Sequence, residues 1–461
     1  MKQIRLILLL IFSSLYSFSQ NPVLPEAWEL YIADPEPKVF DGRVYVYGSK
    51  DDGRGKGWCS DSYHVVSSDD LVNWVDHGES FRLSDVPAKY MDSNYRKLWA
   101  PDLIRHPVSG KYYLFFCFNH VRPRSEKLMV AESDRPEGPF KNARPLTIDG
   151  QPVAGVIDPA VMVDDDGKAY VTWPFKMAQL DPSDYSKIIS RTLVDVAQWM
   201  PLYDTPFEGP SLRKRGDTYY YIYIQNNGMR YLPDGTSYVK PSKMAYLTSK
   251  HPLGPYESKG TFIENTDYPG AINIHGSLLN FKNQWYVFYH LPVADKKLTR
   301  RMCIEPISFD SAGRILPVLI SSSGVKGAFK TGDTIYAASA VVYSNPDDAK
   351  YISRSKERAK LELTNSNAYV GFRYVDFGTD QPLKAGIRIR SGFSGGLIEL
   401  RTDGPDGALI ASMPVSDTKG RWQLIAAALL KKVEGKKTIY MLLKDRDNKP
   451  VEVEWMRFMT K

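Results

Sequence analysis

The sequence predicts an all-β protein with two domains, and three features lead to this prediction. A turn dipeptide followed by a strand rich in Tyr, Val, Phe and Trp occurs five times before residue 325. Sustained helical periodicity is missing, apart from short pieces such as 183–198. Short strands of alternating polarity follow residue 333. Together these features predict a five-bladed β-propeller over residues 22–325 and a C-terminal, jelly-roll-like β-sandwich over residues 330–461.

Residues 1–20 predict a secretory signal peptide. Lys2 and Arg5 precede an apolar stretch from Leu6 to Phe12, and small and polar residues follow it. The stretch is too short and wrongly flanked for a membrane anchor, and no other apolar stretch is long enough to span a membrane. We therefore expect cleavage near Gln20–Asn21 and a secreted or periplasmic protein.

Composition excludes several other classes of protein. Hydrophobic residues make up 43% and charged residues 25% of the 461 positions, which argues against a disordered or fibrous chain. The net charge of +7 becomes +5 once Lys2 and Arg5 are removed, and the basic residues are interleaved with acids. No nucleic-acid partner is therefore expected. Three scattered cysteines predict buried free thiols rather than disulfides or a metal site.

The five repeats share a β-hairpin signal. Their turns fall at Asp41–Gly42, Ser109–Gly110, Asp166–Gly167, Arg215–Gly216 and Lys282–Asn283. Between them, "SDRPEGPF" and "SKHPLGPY" form a second repeat that indicates outer strands. The spacing is irregular but always about one blade of four short strands, and the five-fold recurrence argues against one large sandwich.

Each repeat also carries one ionisable residue at the same phase, eight or nine residues ahead of the second residue of the turn dipeptide. These residues are Asp34, Asp102, Asp158, Glu208 and His275. Since the first strand of each blade lines the axis of a propeller, their side chains should converge there. A single one of them could simply cap a turn. Five in phase indicate a functional site, because buried carboxylates are costly unless they are paired or used.

Carboxylates around an axis can hold a cation, or they can cut a glycosidic bond. Hydrolysis with inversion needs a base that activates water and an acid that protonates the leaving oxygen, roughly 6.5–9.5 Å apart. A third carboxylate near the acid raises its pKa and keeps it protonated near neutrality.

The chain resembles the family 43 glycoside hydrolases in five segments that occur in the family's order. They are "YIADPEPKVFDGRVYVYGSKD", "LWAPDLIRHPVSGKYYLFF", "GVIDPAVMVDDDGKAYVTW", "FEGPSLRKRGDTYYYIY" and "IHGSLLNFKNQWYVFYH". The resemblance implies a five-bladed propeller. It also implies that Asp34 is the general base, that Glu208 is the general acid, and that Asp158 tunes and orients this acid.

The same resemblance implies further site residues. His275 matches the axial histidine that approaches a bound calcium ion, often through water, so calcium near the axis is the expected cofactor. Asp102 is expected to orient the site as a structural neighbour. Either Arg300 or Arg301, in "TRRMCIEPISFD", is expected to face the sugar.

Aromatic side chains near the acids are candidates for stacking against a sugar. Trp99 and Trp173 are expected on strands beside the acids, with core packing as the alternative for each. Trp58 lies in the Gly-rich loop "DDGRGKGWCSDSYH", which could form a rim of the pocket.

The second domain, which follows the linker candidate "SSSGVKGAFKTGD", resembles a family 6 carbohydrate-binding module. In that family an aromatic pair grips a sugar, and Trp422 matches one member of the pair. Two segments depart from the family pattern, "VEVEWMRF" near the end and "IYAASAVVY" at the start. Sugar binding and a purely structural role, packed on the propeller, both remain open for this domain.

The expected function is that of a secreted, calcium-assisted, inverting exo-glycoside hydrolase. By resemblance it releases α-L-arabinofuranosyl or β-D-xylosyl residues from plant polysaccharides or oligosaccharides. A β-D-galactofuranosidase or an endo-arabinanase on the same fold is an alternative, and a non-catalytic glycan-binding propeller is an alternative of another class. A phosphorylase would need a basic cluster in place of Asp34.

Overall fold

The structure of the chain is a computed structural model that describes residues 20–25, 28–53, 58–91, 95–120, 127–201, 206–225, 229–231, 237–239, 242–264, 274–292, 299–344, 349–352, 360–379 and 382–460. The predicted signal peptide lies outside these residues, except for Gln20. Within the described ranges, no helix has both the length and the apolar character needed to cross a membrane.

Five sheets follow one another along the first domain. Blade 1 contains β1 (Tyr31–Phe40), β2 (Arg43–Asp51), β3 (Ser62–Ser68) and β4 (Trp74–Arg82). Blade 2 contains β5 (Tyr95–Leu98), β6 (Asp102–Arg105), β7 (Tyr112–His120), β8 (Lys127–Ser133) and β9 (Lys141–Pro145). Blade 3 contains β10 (Thr147–Ile148), β11 (Gln151–Pro152), β12 (Ala160–Val163), β13 (Ala169–Trp173), β14 (Lys176–Asp181), β15 (Asp184–Ile188) and β16 (Val194–Asp195).

Blades 4 and 5 complete the set. Blade 4 contains β17 (Pro206–Arg215) and β18 (Thr218–Gln225), then a separate ribbon of β19 (Met229–Tyr231) and β20 (Ser237–Val239), then β21 (Lys243–Ser249) and β22 (Glu257–Glu264). Blade 5 contains β23 (Gly276–Phe281), β24 (Gln284–Pro292) and β25 (Arg300–Ile307). Strands β1, β6, β12, β17 and β23 contact one another in this order, and β23 contacts β1. This closed ring of inner strands confirms the five-bladed propeller.

The predicted hairpin turns explain the blade geometry. Asp41 and Gly42 both have left-handed backbones, with φ of 50° and 80°, and so do Lys282 and Asn283, with φ of 51° and 65°. Two consecutive residues of this kind form the type I′ turn, whose twist matches that of paired strands. The turns therefore set the register of β1 with β2 and of β23 with β24.

The residues that follow the predicted signal peptide close the ring. The Val23 N–H donates to the Met302 carbonyl at 3.0 Å, and the Ile304 N–H donates to Asn21 Oδ1 at 2.9 Å. Both partners lie on β25, and Asn21 is buried. Residues 21–23 are therefore attached to the last blade, which ties the two ends of the propeller together.

The second domain is a sandwich of two sheets. One sheet contains β26 (Phe329–Lys330), β28 (Val342–Tyr343), β31 (Tyr369–Asp376), β33 (Leu397–Thr402), β34 (Ala408–Pro414) and β36 (Lys436–Lys444). The other contains β27 (Ile335–Tyr336), β29 (Ala349–Ile352), β30 (Lys360–Leu363), β32 (Lys384–Arg390), β35 (Gln423–Ala428) and β37 (Val451–Met459). Short 3-10 helices lie at Leu83–Asp85, Ala88–Tyr90, Ser190–Thr192, Val196–Trp199, Gly324–Lys326 and Ala337–Ser339.

The serine-rich segment predicted as a linker is buried at the junction of the domains. Ser321 donates both its N–H and its hydroxyl to the Glu305 carboxylate, at 2.7 and 2.8 Å. Ser322 donates its N–H to the carbonyl of Arg373 in the sandwich, at 2.5 Å. Burial raises the pKa of Glu305 to about 8. Ser321, together with Asn21 and Tyr289, thus supplies the hydrogen bonds that this buried carboxyl needs. The segment packs against both domains. The exact domain boundaries stay predictions.

Candidate active site

One backbone arrangement recurs at two of the predicted site residues and next to a third. Asp34, Asp158 and Gly209, which follows Glu208, each precede a proline and have left-handed φ values of 51°, 53° and 64°. Aspartate and glycine enter this region more readily than most residues. The register of β1 shifts next to Asp34, and that of β17 shifts at Glu208, as in β-bulges. Bulges re-aim side chains, and the Asp34 carboxylate contacts Arg300 and His275 of blade 5.

Gly209 permits a close approach between two blades. A Cβ atom at this position would lie 2.6 Å from Ile224 Cδ1 and 2.8 Å from His275 Cδ2. The Gly209 N–H donates to Asp158 Oδ2 at 3.2 Å. The glycine of "EGP" therefore lets the segment bearing Glu208 lie against both Asp158 and His275.

Asp34 is buried and held by several donors. Ser49 Oγ donates to its Oδ2 at 2.5 Å, and the Arg300 Nη1 donates to its two oxygens at 3.1 and 3.2 Å. His275 Nδ1 lies 3.2 Å from its Oδ1. Burial raises the pKa of this carboxyl, but the charges of Arg300 and His275 outweigh burial and hold the pKa well below its usual range. Asp34 is therefore ionised.

Of the two buried histidines beside Asp34, one is neutral and the other is a cation. The backbone N–H of Asp34 donates to His290 Nδ1 at 3.0 Å, so this nitrogen carries no proton. Burial lowers the pKa of His290, which is neutral. Burial also lowers the pKa of His275, but the nearby carboxylates, above all Asp34, raise it to about 9. His275 is therefore a cation at neutral pH.

Asp158 and Glu208 differ from Asp34 in their charge balance. Burial raises the pKa of Asp158 to about 6, with a further contribution from the negative charge of Asp34. Burial and the charge of Asp158 raise the pKa of Glu208 to about 8. Glu208 thus keeps its proton at neutral pH, while Asp34 does not.

Asp102 belongs to a second buried group further along the inner strands. Its carboxylate accepts from Lys38 Nζ at 2.9 Å and from the Val161 N–H at 2.7 Å. On the same strand as Lys38, Glu36 pairs with Arg213. Together these contacts join blades 1 to 4. They place Asp102 with Lys38 and Val161, and its expected role in orienting the site stays a prediction.

Of the two candidate arginines, Arg300 contacts the site. All three of its guanidinium nitrogens donate to protein acceptors: Nη1 to Asp34, Nε and Nη2 to Asp51, and Nη2 also to the Cys59 thiol. The guanidinium of Arg301 lies instead 4.9 Å from the centre of the Tyr31 ring. Contact of either arginine with a sugar stays a prediction.

The tryptophans near the site differ in accessibility. Trp173 is buried in the core between blades 2 and 3, and Trp99 is half-buried against the same core. The half-buried Trp58 ring lies 5.3 Å from the guanidinium carbon of Arg300. Sugar stacking stays a prediction for Trp99 and Trp173, and Trp99 has the more accessible ring.

Trp422 lies in the sandwich among cationic side chains. The Lys360 ammonium and the guanidinium carbons of Arg388 and Arg390 lie 5.1, 6.0 and 4.8 Å from its ring centre. The two arginines in turn pair with glutamates on β37. Sugar binding by Trp422 stays a prediction.

The sequence interpretation missed three residues that contact the predicted site directly. These are Ser49, Asp51 and His290. Ser49 and Asp51 alternate along the end of β2, in the segment "YGSKD", and His290 ends the aromatic run "WYVFYH". The available signal was the position of these polar residues near the end of the second strand of a blade, after a run of aromatic and apolar residues.

The described residues do not fit a calcium ion. In the ranges that the structure covers, no group of three or more His, Cys, Asp or Glu side chains could hold a metal. Calcium prefers six to eight oxygen ligands, but the Asp34 oxygens accept from Ser49 and Arg300 and the Asp102 oxygens accept from Lys38. The His275 Nδ1 faces Asp34 Oδ1 at 3.2 Å. No chemical step is therefore assigned to calcium.

This arrangement contains one group that can accept a proton and another that can donate one. Asp34 is an ionised acceptor, and Glu208 is a protonated donor at the same pH. Pairs of carboxyl groups whose environments push their pKa values apart are characteristic of general acid–base catalysis.

Comparison with known families assigns both domains. Residues 19–315 match the family described as glycosyl hydrolases family 43, and residues 339–460 match the family 6 carbohydrate binding module. A xylosidase/arabinosidase of Thermoclostridium stercorarium is 28% identical, over 86% of this chain and 90% of its own length. An arabinoxylan arabinofuranohydrolase of Bacillus subtilis is 27% identical, over 86% of this chain and 84% of its own.

Solved structures share the fold. A family 43 arabinoxylan arabinofuranohydrolase from Bacillus subtilis, in complex with cellotetraose, superposes with a TM-score of 0.53 and 23% identity, over 96% of this chain and 99% of that one. A β-xylosidase/α-arabinofuranosidase from a compost metagenome, described as a calcium-free form with xylotriose, has a TM-score of 0.51 and 24% identity, over 65% and 98% of the two chains. The first superposition spans the propeller and the sandwich together.

Proposed function

This chain belongs to glycosyl hydrolase family 43 and is a glycoside hydrolase, and from that premise we propose that it releases α-L-arabinofuranosyl or β-D-xylosyl residues from plant glycans with inversion. Relatives named xylosidase/arabinosidase and arabinoxylan arabinofuranohydrolase support this choice of sugars. More distant relatives named β-D-galactofuranosidase and endo-arabinanase keep those two substrates as alternatives.

The observation that carries the proposal is the contrast between Asp34 and Glu208. Asp34 is held ionised by Arg300 and His275, while burial and the neighbouring Asp158 keep Glu208 protonated. One carboxylate can therefore accept a proton at the pH at which the other donates one.

The proposed step uses these two groups together. Asp34 takes a proton from a water molecule as the oxygen of that water bonds to the anomeric carbon. Glu208 gives its proton to the leaving oxygen as the bond between this oxygen and the anomeric carbon breaks. Asp158, which binds the Gly209 N–H, orients the Glu208 segment and raises the pKa of the acid. Attack from the face opposite the leaving group inverts the anomeric centre.

The test is hydrolysis of a panel of aryl glycosides: α-L-arabinofuranoside, β-D-xyloside and β-D-galactofuranoside. We expect release from one or both of the first two, with an initial product whose anomeric configuration, read by proton NMR, is opposite to that of the substrate. A product of retained configuration would contradict inversion, and activity confined to the galactofuranoside or to internal bonds of arabinan would select an alternative.

The calcium expected near His275 is supported by the description of a family 43 structure as a calcium-free form, but the described residues do not fit the ion. From the described donor set we expect hydrolysis to survive dialysis against EDTA. Loss of activity that added Ca²⁺ restores, and Mg²⁺ does not, would establish the ion.

We also propose that the protein is exported, to the medium or the periplasm, after loss of an N-terminal signal peptide. The contacts around the expected cut support it, because the Gln20 side chain donates to the Thr334 carbonyl at 2.7 Å and the buried Asn21 accepts from the Ile304 N–H at 2.9 Å. N-terminal sequencing of protein recovered outside the cytoplasm should begin near Gln20–Asn21, and an intact Met1 would contradict export.

A further inference from the structure

Asp51 ends β2 in blade 1 and is completely enclosed by donors. Its Oδ1 accepts from Arg300 Nη2 at 2.9 Å and from the Cys59 N–H at 2.7 Å. Its Oδ2 accepts from the Arg300 Nε at 3.1 Å and from the Arg300 backbone N–H at 2.8 Å. The Asp51 side chain is 0% exposed. It therefore has no surface on which a substrate could bind.

Arg300 connects Asp51 to the proposed base. While Nε and Nη2 face Asp51, Nη1 donates to both oxygens of Asp34. The Cys59 thiol and the Trp58 ring occupy other sides of the guanidinium. One buried cation is thus shared between two carboxylates, of which only Asp34 has a proposed chemical role.

The contacts with Asp51 fix the direction in which Arg300 Nη1 points. A guanidinium is a rigid planar fork, and a carboxylate that binds it through two nitrogens sets both its position and its plane. Asp51 also binds the backbone of Arg300, so the side chain is held at both ends. With the plane fixed, Nη1 has a single direction, and that direction is toward Asp34.

We propose that Asp51 is a positioning residue for hydrolysis: by clamping the Arg300 fork, it holds the Asp34 carboxylate in the orientation from which it accepts a proton from water. The inference rests on the proposed role of Asp34. Because Arg300 lies between Asp51 and Asp34, removal of the Asp51 carboxylate acts on kcat through Asp34 and leaves KM nearly unchanged.

The first test compares Asp51→Asn with Asp52→Asn on the aryl glycoside that the enzyme cleaves best. Asparagine keeps the size of the side chain but replaces one acceptor oxygen with a donor that opposes the arginine. We expect kcat to fall by roughly 10- to 100-fold, as small misplacements of catalytic groups do, with KM within about twofold. Asp52, whose carboxylate lies 3.9 Å from Lys97 Nζ, is the matched control and should leave both constants within about twofold.

A double-mutant cycle tests whether Asp51 acts through Arg300. Lysine at position 300 lacks the planar fork that binds Asp51 through two nitrogens, so Arg300→Lys already removes the clamp. Adding Asp51→Asn to Arg300→Lys should lower kcat by less than about twofold more, since residues in one network are not additive. Two losses that multiply fully would overturn the inference.

Other outcomes also decide the question. An Asp51→Asn enzyme with wild-type kcat, or one in which only KM rises, contradicts a positioning role. If this variant does not fold, as judged by circular dichroism, Asp51→Glu keeps the charge while displacing the clamp, and the same fall in kcat is expected; wild-type kcat in Asp51→Glu overturns the inference. Asp34→Asn, measured alongside, separates the two proposals: if it retains activity, the assignment of the base fails, whatever Asp51 does.

Discussion

The propeller axis and the Trp422 region of the sandwich contain the same kinds of side chain but balance them differently. In both regions an arginine lies against a tryptophan and binds a carboxylate. Arg300 does so with Trp58 and Asp51, and Arg390 does so with Trp422 and Glu452. A buried or half-buried arginine–aromatic pair is therefore not in itself a sign of catalysis.

The difference lies in the proportion of carboxylates to cations. At the axis Asp34, Asp51, Asp158 and Glu208 surround Arg300 and His275, and two of the carboxyl groups have raised pKa values. Around Trp422, each arginine has one glutamate and Lys360 adds a further positive charge. An excess of carboxyl groups keeps a proton available for transfer, whereas one-to-one pairing serves only to hold side chains in place.

The largest effect that this comparison predicts is a catalytic one. Glu208→Gln and Asp34→Asn should each lower kcat/KM on an aryl glycoside by ~10²- to 10⁴-fold, the usual contribution of a general acid or base. Glu399→Gln in the sandwich, where Glu399 pairs with Arg401 at 2.8 Å, should stay within about twofold of wild type. Wild-type rates in both axial variants would remove the distinction between the two regions.

The next effect is on the pH dependence of hydrolysis. Glu208 must be protonated and Asp34 ionised, so kcat/KM should fall as pH rises through about 8, the pKa to which burial and Asp158 raise Glu208. Asp158→Asn removes a negative neighbour, which makes Glu208 release its proton more readily. The alkaline limb of the residual activity should therefore move to lower pH, and an unchanged or raised limb would contradict the role of Asp158.

A smaller effect concerns stability. The pKa of Glu208 is about 8 in the folded chain but about 4.3 in an unfolded one. Between these values the folded state binds a proton that the unfolded state has lost, so this group makes the protein less stable as pH rises. In thermal unfolding, the Tm of Glu208→Gln minus the Tm of wild type should therefore increase as the pH rises from about 5 to about 8. A difference in Tm that does not depend on pH would show that Glu208 titrates normally.

The smallest effect on catalysis belongs to Trp422. Trp422→Ala should leave hydrolysis of a small aryl glycoside within about twofold of wild type, because the ring lies in the other domain. The affinity of this variant for arabinoxylan can be read from its retardation in gels that contain the polysaccharide. This affinity should be roughly tenfold weaker, about 1.4 kcal/mol, if the indole is a sugar platform flanked by arginine donors. Unchanged retardation would assign the ring to packing of the sandwich alone.

The sequence predicted most of the propeller because its signals are local. Dipeptides such as Asp41–Gly42 and Lys282–Asn283 encode their turns directly, and strand periodicity then places Asp34 and Glu208 at equivalent positions. The serine-rich segment shows where local signals fail. Its composition is typical of a linker, but Ser321 and Ser322 are buried because Glu305 and the sandwich need their hydrogen bonds.

By itself, the sequence determined the number of blades, the phase of the five axial residues and the presence of a second β domain, since turn chemistry and two-residue periodicity act between near neighbours. Only the tertiary structure decided that Arg300 rather than Arg301 contacts Asp34, that His290 is neutral, and that Asp51 holds the arginine. Asp51 and Arg300 are 249 residues apart in the chain. Closing the ring of blades brings them together, and the charge balance that sets each pKa exists only once they meet.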